Sequence, residues 1–335
     1  MDKRAHALRS FAQGALGTTA PHSWQALAGD AGSRRYFRWE DAERSVICVD
    51  APLDSSNTDA FLAVRKLLDA AGMLVPRVYA QDDEQGFMLL SDLGEQQLFD
   101  ILTTARPSSD YHGALPLLHD IQCQDATSLP AYSASMLREE LSRFSVWFCE
   151  GFLNISLTNE HREMLASLDV SLVDSALSQP QVFVHRDYHC RNLMLGESGE
   201  LGLIDFQDAV RGPLCYDLVS LLKDCYLRWP TAQVRDWALS FRSQRMSRGL
   251  SAGETDEAFL TWFDWMGLQR HLKVLGNFTR LALREGRTRY LGDIPLVCHY
   301  IEEVLAQYDV FSEVWAWWRS DVGPLVAQRD WGPPS

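Results

Sequence analysis

Two short apolar segments, each followed by polar residues, constrain this chain more than any other feature. The first reads V-F-V-H-R-D-Y-H-C-R-N from residue 182, and the second reads L-G-L-I-D-F-Q-D from residue 201. Short β-prone runs bounded by polar residues predict strands. We therefore expect a strand, a loop and a further strand that present Asp187, Asn192 and Asp205 together.

These three residues have the order and spacing of the H-R-D-x-x-x-x-N loop and the later Asp of phosphotransfer enzymes. In that pattern Asp187 accepts the proton of the attacking hydroxyl, while Asn192 and Asp205 bind magnesium. Each piece alone has a simpler interpretation, because an Asp before a helix is usually a cap and an Asp after a strand often belongs to a turn. The order, the intervals and the apolar flanks together favour phosphoryl transfer.

Length and charge limit the kind of protein that this can be. At 335 residues the chain can form two lobes, each with its own core. Hydrophobic residues make up 46% and charged residues 23%, so neither disorder nor a fibrous repeat is indicated. The formal net charge of -14 argues against nucleic acid or a membrane as a partner, because both require clustered Lys and Arg. We expect a small-molecule partner and no obligate protein partner.

The cysteines and the N-terminus predict the compartment. The seven cysteines are scattered, without Cys-x-x-Cys or a zinc-type spacing to His. No apolar run suited to a signal peptide follows the first residues. No segment approaches the ~20 apolar residues that span a bilayer. We therefore expect a cytoplasmic protein.

The fold class follows from how the predicted elements are distributed. Strands are predicted at 34–39, 45–49, 76–80 and 86–90, with a helix at 61–71. Beyond a turn at residues 91–94, the predicted helices cover 96–104, 110–122, 135–150 and 159–175. This pattern predicts a two-lobed α+β fold with a small β-rich lobe at 1–94, a larger mainly helical lobe at 95–335, and a nucleotide cleft at the hinge.

From about Leu27 to Tyr300 the chain resembles the aminoglycoside phosphotransferase and choline kinase-like family, whose members have a protein-kinase-like fold. Three further stretches, at 28–38, 211–222 and 268–276, resemble the bacterial kinases of cell-wall recycling. Those enzymes phosphorylate the anomeric C1 hydroxyl of N-acetylmuramate and N-acetylglucosamine. The resemblance implies ATP and Mg²⁺ as cofactors and an amino sugar as acceptor.

The resemblance also implies a role for particular residues. Asp187 would be the catalytic base, and Asn192 and Asp205 the magnesium ligands. The turn at residues 91–94 would offer backbone groups to adenine, and the loop at residues 29–33 would cover the phosphates. The residues implied for the nucleotide are Gly29, Asp30, Gly32, Ser33, Ser91, Asp92 and Leu93.

One departure from the family pattern concerns the phosphate-binding lysine of the third strand. Residues 45–52 contain no Lys, and Asp50 stands where a cation is expected. Arg34, Arg35 or Arg38 would then neutralise the phosphates, or the metal ion would do more of that work. Loss of catalysis, leaving a nucleotide-binding module, is a third interpretation, although the Asp187, Asn192 and Asp205 set argues against it.

The sequence indicates the residues that would contact the acceptor less clearly. Residues 261–290 hold six Lys or Arg against two acids, and Arg270 and Lys273 head a series at helical spacing. They form either a solvated face or a cationic wall that would attract the carboxylate of N-acetylmuramate. His189, Arg191 and Asp208 are further candidates for acceptor contacts.

Several alternatives stay open at this point. The acceptor could be another small alcohol or amine, such as an aminoglycoside, choline or homoserine. A protein substrate is disfavoured, because no activation segment ending in Ala-Pro-Glu follows Asp205. His185 and Arg186 are interpreted as scaffold, with the Arg paired to a carboxylate. Asp217 is expected to cap or anchor a helix over residues 218–226.

Overall fold

A computed structural model describes residues 2–18, 21–27, 34–53, 57–102, 111–196 and 198–335. In chain order the helices and strands are α1 (Lys3–Leu16), β1 (Ser23–Leu27), β2 (Arg35–Glu40), β3 (Ser45–Asp50), α2 (Thr58–Ala70), β4 (Val78–Asp82), β5 (Phe87–Ser91), α3 (Leu98–Ile101), α4 (Ala114–Gln122), α5 (Ala134–Arg143), α6 (Asn159–Ser178), β6 (Gln181–Val184), β7 (Leu193–Leu195), β8 (Leu201–Leu203), β9 (Val210–Pro213), α7 (Cys215–Leu222), α8 (Thr231–Ser247), α9 (Asp256–Glu285), α10 (Ile294–Gln307), α11 (Ser312–Trp317) and α12 (Gly323–Ala327).

The chain forms two compact units. The N-terminal unit comprises Met1–Leu102 and Arg191–Asp208, and the C-terminal unit comprises Thr103–Cys190 and Ala209–Ser335. A small sheet dominates the first unit and helices dominate the second, as the α+β prediction requires. The first unit runs past residue 94 to residue 102 and includes the segment 191–208, and the lobe boundary at 94 stays a prediction.

The N-terminal unit is an antiparallel sheet in the order β1-β2-β3-β5-β4. Helix α1 covers it, since Leu8 and Ala12 share one core with Trp39, Cys48 and Leu89. The strands β2 to β5 and the helix α2 are confirmed within a few residues. Neither α1 nor β1 is predicted from the sequence. For α1 the reason is that it completely buries only two of its residues, so its apolar pattern is weak.

The hairpin of β7 and β8 belongs to the N-terminal unit through backbone hydrogen bonds. Leu203 N–H donates to the Leu74 carbonyl over 2.8 Å, and Leu195 N–H donates to the Gln96 carbonyl over 2.8 Å. Unpaired backbone groups at a buried hairpin edge would be unfavourable, so these bonds fix its position within this unit. The hairpin therefore belongs to the N-terminal unit as a separate two-stranded sheet.

The C-terminal unit is built on the 30-residue helix α9. Thr255 caps its first turn by accepting from Ala258 N–H, and Gly286 ends it in the left-handed conformation. Helices α5, α6, α7, α8 and α10 pack against α9, as does the π-helical stretch Phe144–Phe152 that continues α5. Within the described parts of the chain, no helix is long and apolar enough to cross a bilayer.

Candidate functional site

The β7–β8 hairpin brings Asn192 and Asp205 to one end of the same ladder. Leu193 is paired with Leu203, and Ile204 N–H donates to the Asn192 carbonyl over 3.2 Å. Asp205 follows directly, in the left-handed region at φ 62°. The amide oxygen and the carboxylate are hard oxygen donors, which suit Mg²⁺ held partly by phosphate oxygens and water.

The left-handed backbone of Asp205 is unusual for a residue with a side chain, because the Cβ atom crowds the carbonyl. The amide of Gln207 donates to Asp205 Oδ1 over 2.8 Å and holds the carboxylate in this conformation. Phe206, buried next to it, stacks on Phe61 of α2 with ring centroids 5.0 Å apart. The hairpin, the amide and the aromatic stack together position Asp205.

Asp187 lies in the C-terminal unit, where cations surround it. Its side chain is 43% exposed, and Nη1 of Arg270 lies 4.0 Å from Oδ1. Burial raises the pKa of Asp187, but Lys273, Arg270, His189 and Arg186 outweigh this effect and lower the pKa to about 2. The carboxylate is therefore ionised at neutral pH.

The backbone of the Asp187 loop is held by a carboxylate from α7. Asp217 accepts the N–H of His185 over 2.6 Å and that of Arg186 over 3.0 Å. These bonds hold Arg186 at φ 77°, a left-handed conformation that is strained for Arg. Burial raises the pKa of Asp217 to about 7, against the effect of the two N–H groups.

The predicted capping role of Asp217 is wrong. The helix α7 begins at Cys215, so Asp217 lies inside its first turn, and its side chain bonds the loop rather than the helix end. The reason is tertiary: the end of β6 passes alongside the start of α7, and the N–H groups of the loop, which are shielded from water, need an acceptor. Sequence spacing alone does not show that the Asp217 carboxylate lies next to this loop.

Glu140 of α5 anchors the cations, and no sequence signal predicts it. Its carboxylate is 1% exposed, pairs with Arg186, lies 3.2 Å from Lys273 Nζ, and accepts from the Tyr132 hydroxyl. Burial raises the pKa of Glu140, but Lys273 and Arg186 outweigh it and lower the pKa below its ordinary value. The interpretation of Arg186 as a scaffold residue paired to a carboxylate is confirmed.

Arg270 and Lys273 occupy the interior side of α9. Both are buried, and the Tyr216 hydroxyl lies 3.3 Å from Arg270 Nη1 and 2.8 Å from Lys273 Nζ. Arg270 also donates to the Arg186 carbonyl over 3.0 Å. The solvated-face interpretation is therefore wrong for these two residues, although Arg284 in the same series is exposed.

The other acceptor candidates are spread over both units. His189 lies buried and edge-on to Tyr226 in the C-terminal unit. In the N-terminal unit, the Arg191 guanidinium lies 4.7 Å from the centre of the Phe99 ring, and Asp208 is exposed. A contact of these residues with an acceptor stays a prediction.

The residues expected to bind the nucleotide are partly described. Gly29, Asp30, Gly32 and Ser33 lie outside the described residues. Ser91 is paired with Arg77 through its N–H and its hydroxyl. The Asp92 carboxylate accepts from Ser45 over 2.6 Å, whereas the backbone of Leu93 makes no hydrogen bond within the described ranges. A contact of these turn residues with adenine stays a prediction.

Two of the three candidate arginines already have carboxylate partners. Arg35 Nε donates to Asp50 over 3.0 Å, and Arg38 Nε donates to Asp92 over 2.7 Å. Arg34 instead lies over the Phe61 ring, with its guanidinium carbon 5.5 Å from the ring centre. The structure thus separates three residues that the sequence leaves equivalent.

The chain is 40% identical over 324 residues to the N-acetylmuramate/N-acetylglucosamine kinase of Pseudomonas putida. The aligned region covers 96% of this chain and 93% of that protein. The choline kinase of Streptococcus pneumoniae has a TM-score of 0.63 at 15% identity, covering 90% of this chain and all of that one.

An aminoglycoside phosphotransferase solved with ADP has a TM-score of 0.60 at 13% identity, covering 91% of this chain and 99% of that one. The two solved structures show that this chain has the protein-kinase-like fold of small-molecule kinases. The model of the phosphotransferase enzyme family matches residues 23–250, which include all three residues of the predicted phosphoryl-transfer pattern. The chain therefore belongs to the phosphotransferase enzyme family.

Proposed function

We propose that this protein is an ATP-dependent kinase that phosphorylates the anomeric C1 hydroxyl of N-acetylmuramate and N-acetylglucosamine. The observation that carries the proposal is the likeness to the Pseudomonas putida kinase, at 40% identity over 96% of the chain. The placement of Asp187 among cations supports it. The product would be a sugar 1-phosphate made during peptidoglycan recycling in the cytoplasm, where ATP is present.

Asp187 would act as the proton acceptor. With a pKa lowered to about 2, it is charged before the acceptor binds and can orient the hydroxyl through a hydrogen bond. Such a carboxylate is a weak base, so the proton moves to it only as the hydroxyl oxygen gains its bond to phosphorus. An anomeric hydroxyl suits this role, because it is more acidic than an ordinary alcohol.

Asn192 and Asp205 would hold Mg²⁺ on the nucleotide, and the backbone of Leu93 would contact adenine. Magnesium supplies positive charge that balances the phosphate oxygens during transfer. The protein's own contribution is to fix the two ligands through the β7–β8 hairpin and the Gln207 amide. The spacing of five residues from Asp187 to Asn192 ties the base to the metal ligands along the chain.

The proposed activity is tested by measuring ADP release with N-acetylmuramate, N-acetylglucosamine, an aminoglycoside and choline. We expect turnover with the two amino sugars and a phosphorus NMR signal for phosphate at C1. Faster turnover of the aminoglycoside or choline would overturn the substrate assignment. ATP binding without any phosphorylated acceptor would favour a nucleotide-binding module instead.

Asp187→Asn keeps the shape of the side chain but removes the proton acceptor. We expect turnover to fall by ~10²-fold or more, as general bases typically contribute. ATP binding, measured by calorimetry, should be retained. A variant that keeps more than about a tenth of the activity would exclude this role, since that loss is only ~1.4 kcal/mol of barrier.

Asp205→Ala should abolish magnesium-dependent turnover, whereas Asn192→Ala should raise the magnesium concentration needed for half-maximal turnover. The difference is expected because a carboxylate brings a full charge to the cation and an amide only a dipole. Measuring turnover at increasing magnesium concentrations gives the metal dependence of both variants. Asp83→Ala, which removes an exposed acid next to β4, serves as the control. Unchanged metal dependence in both site variants would contradict the assignment.

Lys273→Met tests how α9 acts on the base. Removing this positive charge should raise the pKa of Asp187 from about 2 towards its ordinary 3.8, because the ionised form loses a stabilising neighbour. The acid limb of kcat/KM should then move to higher pH for both sugars. Arg186 still pairs with Glu140 in this variant. Arg280→Met, which changes a partly exposed cation of the same helix, should leave the profile unchanged.

Lys273→Met, together with Arg270→Ala, tests whether α9 binds the carboxylate of N-acetylmuramate, which stays a prediction for both residues. A rise in KM for N-acetylmuramate alone would support that role, because N-acetylglucosamine carries no charge. An acid limb at the wild-type pH in Lys273→Met would contradict its effect on Asp187.

A further inference from the structure

The third strand carries a buried acid where kinases usually have a phosphate-binding lysine. Asp50, at the end of β3, has no exposed surface. Its carboxylate accepts from Arg4 Nε over 2.9 Å and from Arg35 Nε over 3.0 Å. Arg4 and Arg35 share the buried carboxylate, and Arg35 also pairs with Asp2, so both cations at the end of β3 already have a carboxylate partner.

Arg35 and Arg38 are both committed to structural partners. Arg35 pairs with Asp2 as well as with Asp50, and so joins the N-terminal residues to the sheet. Arg38 is buried, donates to Asp92, and also contacts Glu95 and the carbonyl of Gly94. Arg38 is buried, so removing it from Asp92 would leave a poorly solvated charge, whereas moving Arg35 would break its ion pairs with both Asp2 and Asp50. Neither is suited to exchange its partner for a phosphate.

Arg34 differs from both neighbours in its surroundings. Its guanidinium lies over the Phe61 ring at 5.5 Å and forms no ion pair with any carboxylate in the described parts of the chain. Its Nη2 atom is buried and has no hydrogen-bond partner among the described residues. A buried donor without an acceptor is unfavourable by itself, so the position is suited to a ligand that supplies oxygen atoms.

The aromatic contacts link Arg34 to the proposed metal ligand within the N-terminal unit. Phe61 stacks on Phe206 at an interplanar angle of 13°, and Phe206 is the residue after Asp205. The ring face of Phe61 holds the guanidinium in place by a cation–π contact without reducing its charge. The planar guanidinium can donate two parallel hydrogen bonds to phosphate oxygens.

We propose that Arg34 binds the phosphate groups of the nucleotide and replaces the lysine that the third strand of a kinase usually carries. This inference deepens the proposed function and rests on ATP being the donor. It also explains why an acid can occupy the end of β3. Asp50 forms structural ion pairs there, and Arg34, the residue before β2, makes the phosphate contact instead.

The test is nucleotide affinity in Arg34→Met, measured by calorimetry on the full chain with ATP, ADP and adenosine. We expect the Kd for ATP to rise at least tenfold, about 1.4 kcal/mol, and the Kd for adenosine to stay at the wild-type value. Arg34→Lys should recover part of the ATP affinity, because it restores the charge without the planar fork. Arg65→Met is the matched control, since Arg65 pairs with Asp69 on α2.

The selectivity for phosphate separates this role from a structural one. ATP binding within twofold of wild type in Arg34→Met would overturn the proposal, as would equal losses for ATP and adenosine. Should Arg34→Met not fold, Arg34→Gln takes the same test with the same expected outcome. A wild-type protein that binds ATP but phosphorylates no sugar would remove the proposed function and leave the role of Arg34 standing.

Discussion

The buried carboxylate of Glu140 is the interaction on which the organisation of the C-terminal unit depends. It holds Arg186, beside the candidate base, and Lys273, on the long helix α9. Without these cations, Glu140 would be an unpaired charge in the interior, which is strongly unfavourable. With them in place, the positive charges near Asp187 outweigh its burial and keep it ionised. One structural ion-pair network thus sets the charge state of the proposed base.

The N-terminal unit follows the same logic, with buried carboxylates paired to cations. Its sheet ends in acids, and arginines satisfy them: Asp50 with Arg35, and Asp92 with Arg38. Arg34 stands apart because, in the described parts of the chain, its guanidinium faces an aromatic ring and pairs with no carboxylate. A charge that supports the fold is held by an opposite charge, whereas a charge meant for a ligand must keep its hydrogen-bonding capacity free.

Much of the local structure was predictable because local pattern decides it. The strands β2 to β5 and the helix α2 carry clear apolar patterns, and their positions, like that of α6, are confirmed. Helix α1 was not predictable, since its contact with the sheet needs few apolar residues. The role of Asp217 was also missed, because a carboxylate within a first helical turn normally suggests a cap, and here it bonds the loop before Tyr188.

The sequence by itself determined the order and intervals of Asp187, Asn192 and Asp205, the residues proposed for phosphoryl transfer, because they belong to a strand and loop pattern that neighbouring residues dictate. Only the tertiary structure decided which charges are available. Arg34, Arg35 and Arg38 look equivalent along the chain, as do Arg270 and Arg284, yet their partners lie on other elements. Burial and pairing depend on residues far apart in sequence, and only folding brings those residues together.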